Sequence, residues 1–294
     1  MTKPLHIPVL CDEILQFIAD MPGRHAYGLD VTFGRGGHTS AFLERFSELK
    51  MTGLDRDQAA IDYGRLQFSS LLDSGRLSLA KQNFHEGIPA QEGGWDFILA
   101  DLGVSSPQLD EATRGFSFYQ DGPLDMRMDQ SQLLTAAQIV NEWSAEELSN
   151  LFHDLGEIRR PNRVVARMIE QRREQPFTTT QQLSQLIERS EGWQRRGHHP
   201  ATQYFLALRL EVNQELSALR PAVEALMPSL RPGGRLLVIT FHSLEDRIIK
   251  YAFKESTLGR PVNKKVVMPS RAEEVSNPRA RSAKLRVFER GNAT

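Results

Sequence analysis

The chain is expected to be an α/β protein: a Rossmann-like core interrupted by an all-helical insertion. Three observations lead there. A strand-like run from Ala26 to Val31 feeds the glycine turn Thr32-Phe33-Gly34-Arg35-Gly36-Gly37-His38, and an apolar helical pattern follows at Ala41, Phe42, Leu43 and Phe46. Strand, glycine turn and helix in that order open a βα unit. Short apolar runs at 51–55, 77–80, 97–100 and 235–241 then read as strands of a parallel sheet, buried on both faces. From about Thr113 to Ala201 such runs stop and helical periodicity takes over.

Taken in order, residues 5–20 begin extended around Pro8 and become a short amphipathic helix with Ile14, Leu15 and Ile18 on one side, ended by Met21-Pro22-Gly23. The fourth strand, Phe97-Ile98-Leu99-Ala100, is bounded by Gly93-Gly94 and closed by Asp101. It delivers a long loop rich in Gly, Ser, Pro, Asp and Arg, the kind of loop in which α/β proteins place ligands. Helices are expected in the insertion over 135–141, 144–155, 163–173 and 180–190, with Ser144 as N-cap and Glu147 completing a capping box. A helical run resumes over 201–230, broken at Pro221 and Pro228. Pro232-Gly233-Gly234 turns into the strongest strand of the chain, and a helix at 244–254 and a strand at 284–289 complete the sheet. The expected division is 1–112 and 201–294 for the core and 113–200 for the insertion.

The single cysteine, Cys11, cannot form an intramolecular disulfide and reads as a small buried hydrophobe. No Cys/His group has zinc-ligand spacing, and no run of about 18 apolar residues or signal-peptide pattern appears. A cytoplasmic location is therefore expected. The formal net charge of −1 averages over two basic clusters. Arg159, Arg160, Arg163, Arg167, Arg172 and Arg173 face one acid, Glu170, with Arg195, Arg196, His198 and His199 close behind; Lys264, Lys265, Arg279, Arg281, Lys284 and Arg286 repeat the theme in the tail. A solvated helix face is the plain explanation. Arginine, however, forks onto phosphate, and two such clusters have the footprint of a nucleic-acid partner.

The spacing Gly34, Gly36, Gly37 is not the dinucleotide G-x-G-x-x-G, but Asp55 closes the second strand about 20 residues on, where a carboxylate accepts both hydroxyls of a ribose. A nicotinamide dinucleotide and S-adenosylmethionine both fit that pattern. Carboxylates at three strand ends, Asp30, Asp55 and Asp101, favour the cationic sulfonium over a pyrophosphate. Phe84 either covers an adenine edge or belongs to the core.

Ten blocks carry a more specific resemblance: HIPVL from His6, TFGRGGH from Thr32, DRD from Asp55, DLGVSSPQLD from Asp101, RGFSF from Arg114, DGPLDMRM from Asp121, HPAT from His199, VNQEL from Val212, FHSLEDR from Phe241 and NPRARS from Asn277. Together they resemble the ribosomal RNA small subunit methyltransferase H family of bacteria nearly end to end. The resemblance implies a class I (Rossmann-like) S-adenosylmethionine-dependent methyltransferase core with an inserted all-helical domain. It also implies methylation of the 4-amino group of a cytidine in the decoding region of 16S rRNA, with the RNA expected within the small ribosomal subunit; it leaves the oligomeric state, homodimer included, open.

Carried over by position, the family's cofactor contacts fall on Gly36, Gly37, His38, Asp55, Phe84, Asp101 and Gln108. Asp101 faces either the adenine amine or the methionine amine, and the alternative for His38 is capping its own turn. An exocyclic amine needs acceptors for its protons rather than a strong base. Ser105 and Ser106 are the expected positioning groups, Asp125 and His242 the expected acceptors, and Phe116 and Phe118 stack on a flipped base or pack the insertion. The chain departs from the family at Leu155-Gly156-Glu157-Ile158-Arg159-Arg160, at Gln203-Tyr204-Phe205-Leu206, and in the short stretch before Lys264. These departures bear on RNA contacts more than on the cofactor. Two other classes compete: a non-catalytic RNA-binding assembly factor that keeps the fold, disfavoured by the intact loop at 105–125, and a nicotinamide-dependent dehydrogenase, disfavoured by the glycine spacing.

Overall fold

The structure is a computed structural model, and it describes residues 8–21, 25–103, 109–192 and 199–292. The chain divides into two compact units, Met1–Gly103 with Ser217–Thr294, and Val104–Leu216. The first unit begins with helix α1 (Cys11–Ala19), strand β1 (Tyr27–Asp30), α2 (Gly37–Arg45), β2 (Lys50–Asp55), α3 (Gln58–Gln67), α4 (Ser69–Asp73), β3 (Leu77–Lys81) and β4 (Trp95–Asp101). The second unit carries α5 (Ala136–Glu142), α6 (Ala145–Asp154), α7 (Asn162–Glu174), α8 (Thr180–Glu191) and α9 (Ala201–Val212). The first unit then resumes with α10 (Leu219–Leu226), β5 (Leu230–Thr240), α11 (Ser243–Glu255), β6 (Gly259–Pro261), α12 (Arg271–Ser276) and β7 (Lys284–Arg290).

The sheet order is β3-β2-β1-β4-β5-β7-β6. Strands β1 to β5 are mutually parallel and β7 runs antiparallel between β5 and β6. This is the class I methyltransferase arrangement expected from the sequence. The apolar runs are continuous because both faces are covered. Ile98, Ala100 and Val238 point to the side packed by Leu219, Val223 and Leu226 of α10 and Ile249 of α11. Phe97, Leu99, Leu237 and Ile239 point to the side packed by Ile14 and Ile18 of α1 and Phe42 of α2.

The second unit has its own core, in which Phe152, Val164, Met168, Phe177, Leu183, Ile187 and Leu208 are buried together. Its helices start where side chains satisfy the free amides. Capping boxes pair Thr135 with Gln138, Ser144 with Glu147, as the sequence predicts, and Thr179 with Gln182.

Three expectations are corrected. Pro221 does not break a helix: it occupies the first turn of α10, where an amide hydrogen has no intrahelical partner to lose, and the interruption falls before Leu219. Strand β6 was not expected, since three residues carry no periodicity; its proline sits on the sheet edge, where a missing donor does no harm. Helix α9 packs Ala201, Tyr204, Phe205 and Leu208 into the core of the second unit rather than onto the sheet, so the contact boundary lies past Leu216 instead of at residue 200. Among the described residues no helix is long and apolar enough to cross a membrane.

Phe33 closes the turn after β1 by lying in a notch between glycines. A Cβ on Gly53 would come within 2.6 Å of its ring, and one on Gly64 of α3 within 2.5 Å. Gly64→Ala replaces a poor helix former by the best one, worth about 1 kcal/mol in an open helix. Overpacking against Phe33 costs about 1–3 kcal/mol and outweighs it. The expected outcome is a lower melting temperature for Gly64→Ala, read by calorimetry; a higher one would show that the notch relaxes.

Candidate active site

Parallel strands end at one edge of the sheet, and here β1, β2 and β4 each end in an aspartate. Asp30 is 1% exposed. Its Oδ1 accepts the amide of Thr32 at 3.1 Å and its Oδ2 accepts the Thr39 hydroxyl at 2.8 Å, which ties the end of β1 to the first turn of α2. Thr32 in turn accepts the Asp101 amide on its hydroxyl at 2.7 Å, and so joins the end of β1 to the end of β4. Burial pushes the Asp30 carboxyl above its usual range, opposed by His38 and by these hydrogen bonds. Asp101 accepts the Gly103 amide at 3.1 Å, and its other oxygen lies 3.9 Å from His38 Nδ1.

The glycine turn is built on Asp55. Oδ2 accepts the Gly34 amide at 2.7 Å and Oδ1 the Asp57 amide at 2.8 Å. Gly36, the N-cap of α2, has φ 72°, and a Cβ there would meet the rings of Phe68 and Phe33 at 2.6 and 2.7 Å. Only glycine meets both demands. Burial pushes the Asp55 carboxyl up to about 6, although the two amides pull it down.

His38 does not cap its own turn. Its Nε2 donates to the Val9 carbonyl at 2.9 Å, pinning the N-terminal segment, while Nδ1 faces Asp101. Gly37 is the first residue of α2. Phe84 is buried in a short turn of 3₁₀ helix among Leu29, Val31 and Leu54, with His85 edge-on at 4.4 Å. Ser105, Ser106 and Gln108 lie outside the described residues. His242 is the N-cap of α11: its Nδ1 accepts the Glu245 amide at 3.4 Å, and Nε2 stands 3.0 Å from the Glu245 carboxylate. With Nδ1 occupied and Nε2 holding the proton, this ring is a helix cap that orders the β5–α11 turn. The cap is the role the structure shows for the expected acceptor.

In the second unit Asp125 is half-buried and held by Arg127 in a bidentate fork, Nε to Oδ1 and Nη2 to Oδ2, each at 2.8 Å. Burial alone would raise its carboxyl, but the fork and the Arg127 amide win and hold it below the usual range. Asp125 is thus ionised at any neutral pH: an acceptor, not a base. The next residue, Met126, is fully buried with φ 64°, a strained conformation for a side chain of its size. It is held from both sides. Its amide donates to Arg114 O at 3.1 Å and its carbonyl accepts Asn213 Nδ2 at 2.8 Å, while Asn213 Oδ1 accepts the Met128 amide at 2.8 Å. Arg114, 7% exposed, donates to the carbonyls of Arg127 and Met128.

The remaining expectations sort by burial. Phe116 packs in the core, and Phe118 is covered by three rings, stacked on His199 at 4.5 Å with Tyr119 and Phe205 beside it, so neither offers an open face to a flipped base. Arg159, Arg160, Arg163, Arg167 and Arg173 are exposed, whereas Arg172 is spent on the carbonyls of Val140 and Trp143 at the end of α5. In the tail, Lys264, Lys265, Arg279 and Arg281 are exposed, and Arg286 forks onto Asp246 at 2.6 and 3.0 Å. Cys11 is half-buried, its thiol pushed up to about 11 by burial, which makes it a poor nucleophile.

The family model described as the MraW methylase family matches residues 3–291. The chain belongs to that family. Two relatives, both named Ribosomal RNA small subunit methyltransferase H, come from Bdellovibrio bacteriovorus and Crocosphaera subtropica. The first is 48% identical over 98% of this chain and 88% of its own; the second is 46% identical over 97% and 89%. Members of the MraW methylase family take S-adenosylmethionine, and the residues present fit it. A Cβ-free cradle at Gly36, an acid whose remaining lone pairs suit paired hydroxyls, and carboxylates at the ends of β1 and β4 suit a ligand that is cationic and carries a ribose.

Sequence reasoning missed Thr32, Thr39, Arg114 and Asn213. Thr32, two residues after Asp30, carried a local signal and Thr39 in α2 did not; Arg114 and Asn213 sat in quoted blocks with no role assigned, because their partners are remote in sequence.

Two outcomes are expected. If the ionised Asp55 holds the ribose, cofactor affinity is full above about pH 6 and weakens up to about tenfold per unit as pH falls through about 6. The same shift bears on stability with the opposite consequence for the free protein. A carboxyl raised in the fold from 3.8 to about 6 destabilises above about 6 and not below 3.8, so the cofactor-free protein loses stability as pH rises from 3.8 to about 6, and Asp55→Asn removes the pH dependence of both stability and binding. Titration calorimetry across that range checks both, and a flat affinity takes Asp55 out of the site. Asn213→Ala strands the Met128 amide and Met126 carbonyl, about 1–3 kcal/mol each. Turnover should fall about tenfold or more with cofactor affinity unchanged; unaltered turnover would separate the Met126 loop from catalysis.

Proposed function

We propose that this protein transfers the methyl group of S-adenosylmethionine to the 4-amino group of a cytidine in 16S rRNA of the small ribosomal subunit, in the decoding region, by direct in-line displacement. The observation that carries this reading is the near full-length identity to chains named for ribosomal RNA, which extends through the helical unit as well as the cofactor-binding sheet. The exposed arginines of α7 and the basic tail supply a phosphate-binding surface in support.

The bound cofactor supplies an electrophilic methyl on a positively charged sulfur. The chain's part is placement. Asp55 takes the ribose hydroxyls, Phe84 flanks the base, and Asp30 and Asp101, joined through Thr32, set a negative field at the strand ends. Asp125 accepts a hydrogen bond from the target amine, with Ser105 and Ser106 as further positioning groups, so the nitrogen lone pair is freed from the ring. A new N–C bond forms as the C–S bond breaks, and the amine proton leaves to water afterwards; the weakened basicity of Asp125, whose carboxyl is held below its usual range, fits this order, since it need not take a proton. His242, the remaining acceptor expected from the sequence, caps α11 and orders the turn after β5.

The test is transfer of labelled methyl to small subunits lacking the modification, with the product nucleoside identified by mass. Label in 4-methylcytidine, reduced about a hundredfold or more in Asp101→Ala and Asp125→Ala, is the expected result. Intact cofactor binding without any label would instead make the protein an assembly factor.

A further inference from the structure

We propose that Tyr119 is a stacking platform for an unpaired base of the substrate RNA, a subsite separate from the nucleotide that is methylated. Resting on the rRNA reading above, it names a second contact of the same substrate. Tyr119 is 80% exposed although the rings under it are fixed. Its ring lies 4.6 Å from Phe118 at 37° and edge-on to His199 at 6.2 Å. Phe118 is itself stacked on His199 at 4.5 Å and 27°, with Phe205 of α9 edge-on beneath at 5.0 Å.

This base is rigid. His199 Nδ1 accepts the Ala201 amide at 3.2 Å, which fixes the proton on Nε2, and Nε2 meets Glu188 of α8 at 3.0 Å. The Ser117 hydroxyl accepts the Tyr119 amide at 3.2 Å, and the loop is tied three residues on, where Gly122 O accepts the Thr180 amide at 2.9 Å. An exposed aromatic pre-set by packing loses little freedom when a planar ligand lands on it.

The surroundings favour a nucleotide over a protein partner. A Cβ on Gly156 would come within 3.1 Å of the Gln203 carbonyl, so the turn that carries exposed Arg159 and Arg160 lies against the first turn of α9, the helix that His199 leads into. One open ring in a unit that also exposes Arg159, Arg160, Arg163 and Arg167 matches a base and its phosphates; protein interfaces present broader apolar area. A stacked base needs the ring and not the hydroxyl.

Single-stranded oligoribonucleotides of mixed sequence, carrying 2-aminopurine, report stacking by fluorescence quenching. With Tyr119→Ala, RNA affinity and the KM for rRNA should weaken about tenfold to a hundredfold, while kcat and cofactor affinity hold; Tyr119→Phe should restore all. Unchanged RNA affinity in Tyr119→Ala overturns the platform, as does a Tyr119→Phe variant as weak as Tyr119→Ala. A loss seen with assembled subunits but not with naked RNA also overturns it, in favour of a protein contact. Wild-type protein that binds no RNA at all overturns the rRNA reading along with the platform.

Discussion

A parallel sheet delivers the last residue of every strand to one edge, and in this protein three of those residues are aspartates. Mutual repulsion among like charges at such an edge must be offset, and the offset shapes the first unit. Asp30 accepts from Thr32 and Thr39, Asp55 from Gly34 and Asp57, and Asp101 from Gly103 while facing His38. Each of these partners belongs to the turn or helix that follows a strand, so the acids hold the binding loops in shape before any ligand arrives. His38 extends the effect by gripping the Val9 carbonyl.

The second unit solves a comparable problem by different means. The first amides of α5, at Ala136 and Ala137, donate to the Asp125 and Leu124 carbonyls, and Arg114 and Asn213 hold the residues that follow in place of a ladder. Both are buried polar side chains, and their bonds to Met126, Arg127 and Met128 satisfy backbone groups of that loop. The left-handed Met126 shows that this support overrides a local preference, and it aims the neighbouring carboxylate at a fixed angle.

Charge patterns need the same distinction between inventory and placement. Six arginines in a row of fifteen residues look alike in sequence, yet Arg172 closes the carbonyl end of α5 and its neighbours face water. Likewise FHSLEDR contains a polar histidine that invites a chemical role. His242 and Glu245 instead form a reciprocal cap, an H-x-x-E variant of the S/T-x-x-E pattern that a closer reading of helix starts would have recognised.

What the sequence determined by itself was everything local in origin. Continuous apolar runs announced strands covered on both faces, Ser144 and Glu147 announced a helix start, and glycines with a following acid announced a cofactor turn, because each of those signals is carried by residues within a few positions of one another. Tertiary structure alone decided the rest. The edge strand β6 exists only because β7 offers it a partner. Helix α9 joined the helical unit because its apolar side chains fit that core. Phe118 lost its open face to three other rings, and Asn213 became the keystone of a loop some 85 residues away in the chain. Such outcomes depend on contacts between distant segments, and no local pattern encodes which side chain will arrive there.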